Sequence, residues 1–378
     1  MASICIVAGD PSGDAHAANL VEAIRRLDPS VSFAGLGGPR MQQAGVMLLD
    51  ELTRAAAIGP FDAATHLRRF ASARGRFAAY LKSHKPDAVV LVDFGDFNLP
   101  VIAPLAKRAG CRVLYYISPQ LWAWGRFRLR WVRRYVDRML VLFKFEKSFY
   151  EYAQVPVTWV GHPLADAAKP TLSREQAQAT FGLNPWRMTV GLLPGSRARE
   201  LARHLPLLLS AAARIAWQMP GVQFLLPKAP GLPANCFQPL ATSHGLDIIQ
   251  TEDRLPDCLS LMDAAIVASG TATLEAALMG VPMVVVYRTS LATYLAAKLV
   301  VRVPYISIVN LIVEQELVPE FIQYRARPGR IAQALVELLR DEARRMAMRE
   351  QFHLIREQLG PPGAVERAAR AVLEELPK

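Results

Sequence analysis

The sequence predicts two doubly wound α/β domains, each a parallel sheet with helices on both faces. Three observations carry that expectation. The 378 residues exceed the ~250–300 at which one hydrophobic core usually stops growing. Short, continuously apolar runs alternate with helical patterns along most of the chain, as parallel strands buried on both faces require. The alternation then restarts near residue 186, after a Pro- and Ala-containing stretch from Pro163 to Thr171.

In the first half, strands are predicted at Ile4–Ala8, Ala88–Val92, Val113–Ile117 and Met139–Phe143. In the second they fall at Thr189–Leu193, Val222–Pro227, Ala264–Ala268 and Met283–Tyr287. Helical patterns separate them, for example Ala15–Leu27 and Leu201–Gln218. This βα alternation is the signature of doubly wound sheets. From Arg330 onward the chain reads as helical, broken once by Gly360, Pro361, Pro362 and Gly363. There is no internal repeat or low-complexity tract.

Composition narrows the class. Hydrophobic residues at 52% against 20% charged suffice for buried cores and leave little room for disorder. No run approaches the ~18 apolar residues of a membrane-spanning helix. Residues Met1 to Asp10 lack the basic start and apolar stretch of a secretion signal, so a cytoplasmic location is expected. Cys5, Cys111, Cys236 and Cys258 are far apart and form no metal-binding or disulfide pattern, and no metal is expected. They read as buried thiols. The net charge of +11 suits an anionic partner, whether nucleic acid, acidic membrane or phosphorylated substrate.

Two turns in the second half suit a nucleotide. Leu192 to Arg197 (LLPGSR) sets Pro-Gly-Ser between an apolar strand and a helix start, where unpaired amides attract phosphate oxygens. Gly195 permits close backbone approach, Ser196 adds a hydroxyl, and Arg197 can neutralise diphosphate charge. The alternative is a plain strand-to-helix turn with a surface arginine. Ser269 to Glu275 (SGTATLE) repeats the arrangement, with Ser269, Gly270 and Thr271 for phosphate and Glu275 for ribose hydroxyls. Here the alternative is a helix capped by Ser269 or Thr271. Two such turns in one domain favour a nucleotide site, and no GxxxxGK[ST] loop accompanies them.

The first half offers different chemistry. Gly9 to Asp14 (GDPSGD) reads as a flexible acidic turn that repels phosphate and lines a cleft. Val92 to Asn98 (VDFGDFN) follows an apolar strand, so its carboxylates point into the crevice where α/β sheets bind ligands. One of them can serve as general base; for Asp96, helix capping is the stronger reading. Between Ser118 and Arg138, Trp122, Trp124, Phe127, Trp131 and Tyr135 alternate with six arginines. That pattern fits single-stranded nucleic acid, lipid headgroups or a solvated amphipathic helix.

Taken in order, these segments resemble bacterial lipid-A-disaccharide synthase, an inverting glycosyltransferase of the GT-B fold. The resemblance runs through GDPSGD at Gly9, GLGGPRM at Gly35, VDFGDFN at Val92 and YYISPQLWAW at Tyr115. It continues with VGHPLAD at Val160, LLPGSR at Leu192, SGTATLE at Ser269 and YISIVNLIV at Tyr305. It implies two Rossmann-like domains facing a cleft, with limits at 1–168 and 169–345, and helices 346–378 returning to the first domain. The implied reaction joins UDP-2,3-diacylglucosamine to the 6-hydroxyl of 2,3-diacylglucosamine 1-phosphate (lipid X), giving UDP and a β-1′,6-linked tetraacyl disaccharide 1-phosphate.

By the same resemblance Asp93 is the base, and Arg197 with the helix amides stabilises leaving UDP without metal or cofactor. Asn310 is a second group at the reacting centre. His162 matches an HP pair at the domain junction, where a structural role is at least as well supported. The family also implies peripheral association with the cytoplasmic face of the inner membrane, and no nucleic acid. The oligomeric state is left open, a homodimer included.

Some positions depart from the family's usual wording. Asp10-Pro11 replaces Glu-Ala, Phe94-Gly95 replaces Ala-Pro, and Ser118 to Leu121 differs slightly. The Ile58 to Phe70 segment, where the family carries a hydrophobic patch, includes Pro60, Asp62, Thr65, His66, Arg68 and Arg69. These changes bear on acyl-chain specificity and membrane docking. The rival enzymes are a UDP-N-acetylglucosamine epimerase and a peptidoglycan glucosaminyltransferase. A non-catalytic basic RNA- or membrane-binding protein is the rival from another class, and Asp93, Arg197 and Glu275 argue against it.

Overall fold

The computed structural model describes residues 2–53, 63–123, 125–229, 232–233, 236–237, 245–252, 254–300 and 303–377. The patch positions Pro60 and Asp62, and Trp124, lie outside the described residues, as do the side chains of Thr65 and His66. The chain divides into two compact units, Met1–Ala165 with Leu359–Lys378, and Asp166–Gln358.

The first unit is a seven-stranded sheet of β1 (Ser3–Ala8), β2 (Ser32–Gly37), β3 (Met47–Glu51), β4 (Ala88–Val92), β5 (Arg112–Tyr116), β6 (Arg138–Val141) and β7 (Val157–Trp159). Its order is β3-β2-β1-β4-β5-β6-β7, parallel throughout. The two-residue period of a strand sorts its side chains between two cores. Ile4, Ile6 and Ala8 meet Leu20 and Ile24 of the helix Pro11–Leu27 on one face. Cys5 and Val7 meet Phe77 of the helix Ala63–His84 on the other.

The end of the chain completes the first of these cores. Ala368, Ala369 and Val372 of the helix Ala364–Leu373 are buried in it. His162 donates its backbone N–H to the Leu359 carbonyl at 2.8 Å. Arg367 donates to the carbonyls of Val160, Pro361 and Pro362 at 2.8, 2.7 and 2.7 Å. The buried Glu375 carboxylate pairs with both Arg112 and Arg138.

The second unit is a six-stranded parallel sheet of β8 (Thr189–Leu193), β9 (Gln223–Lys228), β10 (Ile248–Glu252), β11 (Ala264–Ala268), β12 (Met283–Tyr287) and β13 (Glu320–Ile322). The order is β10-β9-β8-β11-β12-β13. The helix Ala198–Gln218 packs against the helix Pro328–Arg340 on one face.

Strand order reverses direction once in each sheet, between β1 and β4 in the first and between β8 and β11 in the second. Ligands of open α/β sheets bind beyond the strand carboxyl ends at such a reversal. The turns singled out by sequence leave these four strands. Residues 9–14 and 93–98 flank the first reversal, and residues 194–197 and 269–271 flank the second.

Candidate active site

In the second unit, Gly195 adopts φ +116, which only glycine holds without strain. A Cβ there would lie 2.6 Å from Glu200 Oε2 and 2.8 Å from Glu200 Cβ. The glycine therefore lets Glu200 fold back over the helix start. Glu200 accepts the Ser196 N–H at 3.2 Å and the Arg197 guanidinium at 3.0 Å. Arg197 is itself exposed, at 75% of its side-chain surface. The turn thus presents an amide, a hydroxyl and a guanidinium, with a carboxylate occupying the amide and the guanidinium.

The second turn is not the side-chain-capped helix that offered the alternative reading. The helix Thr271–Leu278 starts from Gly270 with no side-chain cap. Ser269 instead donates its hydroxyl to the Ile306 carbonyl at 3.2 Å. Glu275 is half-buried and has no side-chain hydrogen bond among the described residues; burial pushes its carboxyl above the usual range. A half-buried acceptor without a partner suits a pair of ligand hydroxyls.

Asn310 is buried in the helix Ile308–Val313. Its amide donates to the Val318 carbonyl at 2.8 Å and to Glu320 Oε1 at 2.9 Å, and its oxygen accepts the Val318 N–H at 2.9 Å. Glu320 also accepts the N–H groups of Ile306 and Ser307 at 2.9 and 2.8 Å. Asn310 and Ser269 are therefore joined through one short segment, residues 306–310, and both amide hydrogens of Asn310 are spent within it.

His204 is a residue that sequence reasoning missed. It is buried on the helix Ala198–Gln218, with Nδ1 2.9 Å from the Pro194 carbonyl and Nε2 accepting the Arg288 N–H at 3.0 Å. A carbonyl only accepts and an amide only donates, so the proton sits on Nδ1. The ring ties the turn after β8 to the end of β12. No metal-like spacing marks this lone histidine in the sequence.

In the first unit, Asp10 caps the helix Pro11–Leu27, accepting the Gly13 N–H at 2.6 Å. Gly9 to Asp14 is thus a helix entry, not the flexible acidic turn expected. Asp14 is buried and accepts the N–H groups of Gly38, Arg40 and Met41 at 2.9, 3.0 and 3.1 Å. A carboxylate so engaged anchors the GGPRM turn rather than repelling a ligand.

Asp93 and Phe94 both adopt left-handed backbone, φ +46 and +50, a strained pair for residues with a Cβ. The surroundings hold it. The Asp93 carbonyl accepts the Tyr115 hydroxyl at 2.5 Å and the Asn98 amide at 2.8 Å, and its N–H donates to the Tyr116 carbonyl at 3.1 Å. Phe94 lies across Gly9, where a Cβ would come within 2.0 Å of the ring. Phe70 and Phe97 complete an aromatic group with centroids 5.0–6.0 Å apart. Burial, then the Asp93 charge, pushes the Tyr115 hydroxyl well up, so it stays protonated and donating. Asp93 is half-buried, and this frame fixes its backbone. Neither Asp96 nor Asn98 caps a helix with its side chain: Asp96 pairs with Arg128 at 2.5 Å, and Asn98 reaches back to Asp93.

His162 is buried against Phe143, ring centroids 5.2 Å apart, and Nδ1 accepts the Leu164 N–H at 3.1 Å. Burial, then His16, lowers its pKa to about 3. Nearby, Glu146 accepts Trp122 Nε1–H at 3.3 Å and the N–H groups of Leu142 and Phe143 at 3.2 and 3.1 Å. Burial raises its pKa to about 7.

Two doubly wound units, each with polar turns at its sheet reversal, define a GT-B type protein. Solved structures share that fold. The UDP-GlcNAc 2-epimerase from Neisseria meningitidis superposes with TM-score 0.62 at 13% identity, covering 99% of this chain and all 100% of the epimerase. MurG from Acinetobacter baumannii gives 0.61 at 14%, covering 99% and 100%. At such identity they show the fold alone.

Sequence comparison goes further. A family model described as lipid-A-disaccharide synthetase matches residues 4–374. The lipid-A-disaccharide synthase of Geobacter sulfurreducens is 45% identical over 375 residues, covering 99% of this chain and 97% of that protein. That of Nitrosococcus oceani is 43% identical over 357 residues, covering 94% and 92%. The chain belongs to the lipid-A-disaccharide synthase family and is a glycosyltransferase. That reading stands over the epimerase and peptidoglycan alternatives.

Proposed function

We propose that the chain transfers 2,3-diacylglucosamine from its UDP conjugate to the 6-hydroxyl of 2,3-diacylglucosamine 1-phosphate, with inversion at the anomeric carbon. The observation that carries this reading is the family match over residues 4–374. Four of its motif segments, at residues 9–14, 93–98, 194–197 and 269–271, leave the strands that flank the reversal in each sheet. Asp93 takes the proton of the acceptor hydroxyl as its oxygen attacks the anomeric carbon from the face opposite UDP. The sugar–phosphate bond breaks, and its electron pair stays on the UDP β-phosphate. Arg197, the Ser196 amide and hydroxyl, and the turn at Ser269, Gly270 and Thr271 receive that charge. Glu275 holds the ribose hydroxyls. No cofactor or metal is called for.

Asn310 takes a positioning role in this scheme, because its hydrogen-bonding groups are committed to the segment that also receives Ser269. Substrates with two acyl chains, together with the net charge of +11, support docking at an anionic membrane surface. No helix among the described residues is long and apolar enough to cross a membrane.

The test is a mass-spectrometric assay of the purified protein with UDP-2,3-diacylglucosamine and lipid X in detergent, with and without chelator. Tetraacyl disaccharide 1-phosphate is the expected product in both. Its absence overturns the reaction, and its loss on chelation overturns metal independence. Asp93→Ala, folded by circular dichroism, is expected to lower kcat by about 10²–10⁴. Near-normal turnover would remove Asp93 from the role of base.

A further inference from the structure

Arg128 and Asp96 form an ion pair whose two halves are held very unequally. Asp96 lies on the short helix Gly95–Phe97 that follows β4, one turn beyond Asp93. Arg128 ends the 3-10 turn Arg126–Arg128, on the segment that leaves β5. The two segments are packed together: a Cβ on Gly95 would stand 2.7 Å from Pro119 Cβ. The Arg128 side chain is 16% exposed, whereas Asp96 is 70% exposed. The guanidinium lies 5.7 Å from the centroid of Phe127. Asp96 has no other side-chain bond among the described residues.

Such an arrangement contributes little to stability, since ion pairs with an exposed partner are worth about 0–1 kcal/mol. It does fix a partly dehydrated guanidinium at the carboxyl edge of the first sheet and leaves its counterion free to swing into water. A guanidinium prefers a phosphate, which offers more charge and a bidentate edge, to a single carboxylate oxygen. Arg126, exposed on the same turn, adds positive charge.

Resting on the acceptor proposed above, we infer that Arg128 receives the phosphate of the acceptor and that Asp96 is the placeholder it displaces. On a glucosamine 1-phosphate, C1, which carries the phosphate, and C5, which carries the 6-hydroxymethyl group, both flank the ring oxygen, so the two groups share one edge of the ring. Anchoring the phosphate beside Asp96 therefore keeps the 6-hydroxyl close by, on the stretch after β4 that also carries Asp93. Arg128 is a specificity-determining residue: it selects an acceptor that carries phosphate over one that does not.

The test compares acceptor kinetics of the wild type, Arg128→Ala, Arg128→Lys and Asp96→Asn, using lipid X and its dephosphorylated form, 2,3-diacylglucosamine. Arg128→Ala is expected to raise KM for lipid X about 10- to 100-fold, the value of one charge-assisted contact. It should leave the donor KM and the dephosphorylated acceptor unchanged. Arg128→Lys should fall between. Asp96→Asn should lower KM for lipid X, because it removes the competitor. A structural ion pair would make Asp96→Asn and Arg128→Ala act in the same direction on both acceptors, and that result overturns the inference. Calorimetric titration of lipid X in detergent separates this from the reaction itself. Binding by the wild type without turnover would sink the reaction and keep the site, whereas equal binding by Arg128→Ala would sink the site.

Discussion

Glu146 shows what a single buried carboxylate does to the molecule that holds it. Its three acceptor contacts fasten the turn after β6 to Trp122, on the segment that leaves β5. Burial nevertheless raises its pKa from 4.5 to about 7. Between those values the folded protein binds more protons than the unfolded chain, so this group's contribution to stability is full at the acid end and is lost as pH rises through about 7. The stake is on the order of a few kcal/mol. Glu146→Gln, which cannot ionise, should lack that slope. Thermal melts from pH 4 to 8 should show the wild type losing ground to the variant as pH rises, with the gap level above about 7. Parallel pH dependence in the two proteins would contradict this ionisation.

At the scale of elements, the turn between β8 and the helix Ala198–Gln218 carries the donor reading. Gly195→Ala puts a methyl against Glu200 at a backbone angle that alanine resists. It should cost about 1–3 kcal/mol of stability and raise the donor KM at least about tenfold. Donor titration with a melt of the same variant checks both, and unchanged values would remove this turn from the donor site.

The turns were legible because a strand, small residues and a helix start leave a local pattern. Other features had no such signature. The left-handed Asp93-Phe94 pair exists only because Tyr115, Asn98 and the surface over Gly9 hold it. Asp14 reads as acidic surface until the GGPRM turn, far along the chain, closes on it. His204 links two strands that only the folded sheet brings near.

For the whole molecule, largely apolar strands such as β4, β8 and β11 are readable as buried parallel strands, and they fix the doubly wound class. The short edge strands β7 and β13, three half-buried residues each, carry no comparable run and were not read. Return of the chain end to the first unit could be inferred only from resemblance, since nothing local tells a helix which core it joins. A protein ending at Gln358 should expose the Leu20–Ile24 face of the helix Pro11–Leu27 and leave Arg112 and Arg138 without Glu375. Loss of Val372, worth about 1.5–3 kcal/mol, and of the buried alanines Ala364, Ala368, Ala369 and Ala371, worth about 0.8 kcal/mol per methyl-sized group, should abolish cooperative unfolding of the first unit. The second should keep its transition and the stabilisation by UDP that the proposed donor site predicts. Calorimetry with and without UDP checks this, and an intact first transition would show that the returning helix is dispensable.

That returning helix also dictates a timetable. The second unit is one continuous stretch, Asp166–Gln358, whereas the first is interrupted by it. During synthesis at about 5–20 residues per second, the first unit waits roughly 10–40 s between emergence of its main part and arrival of its last helix. Throughout that interval the apolar flank of the helix Pro11–Leu27 has no cover of its own. The part of the protein made first is therefore finished last.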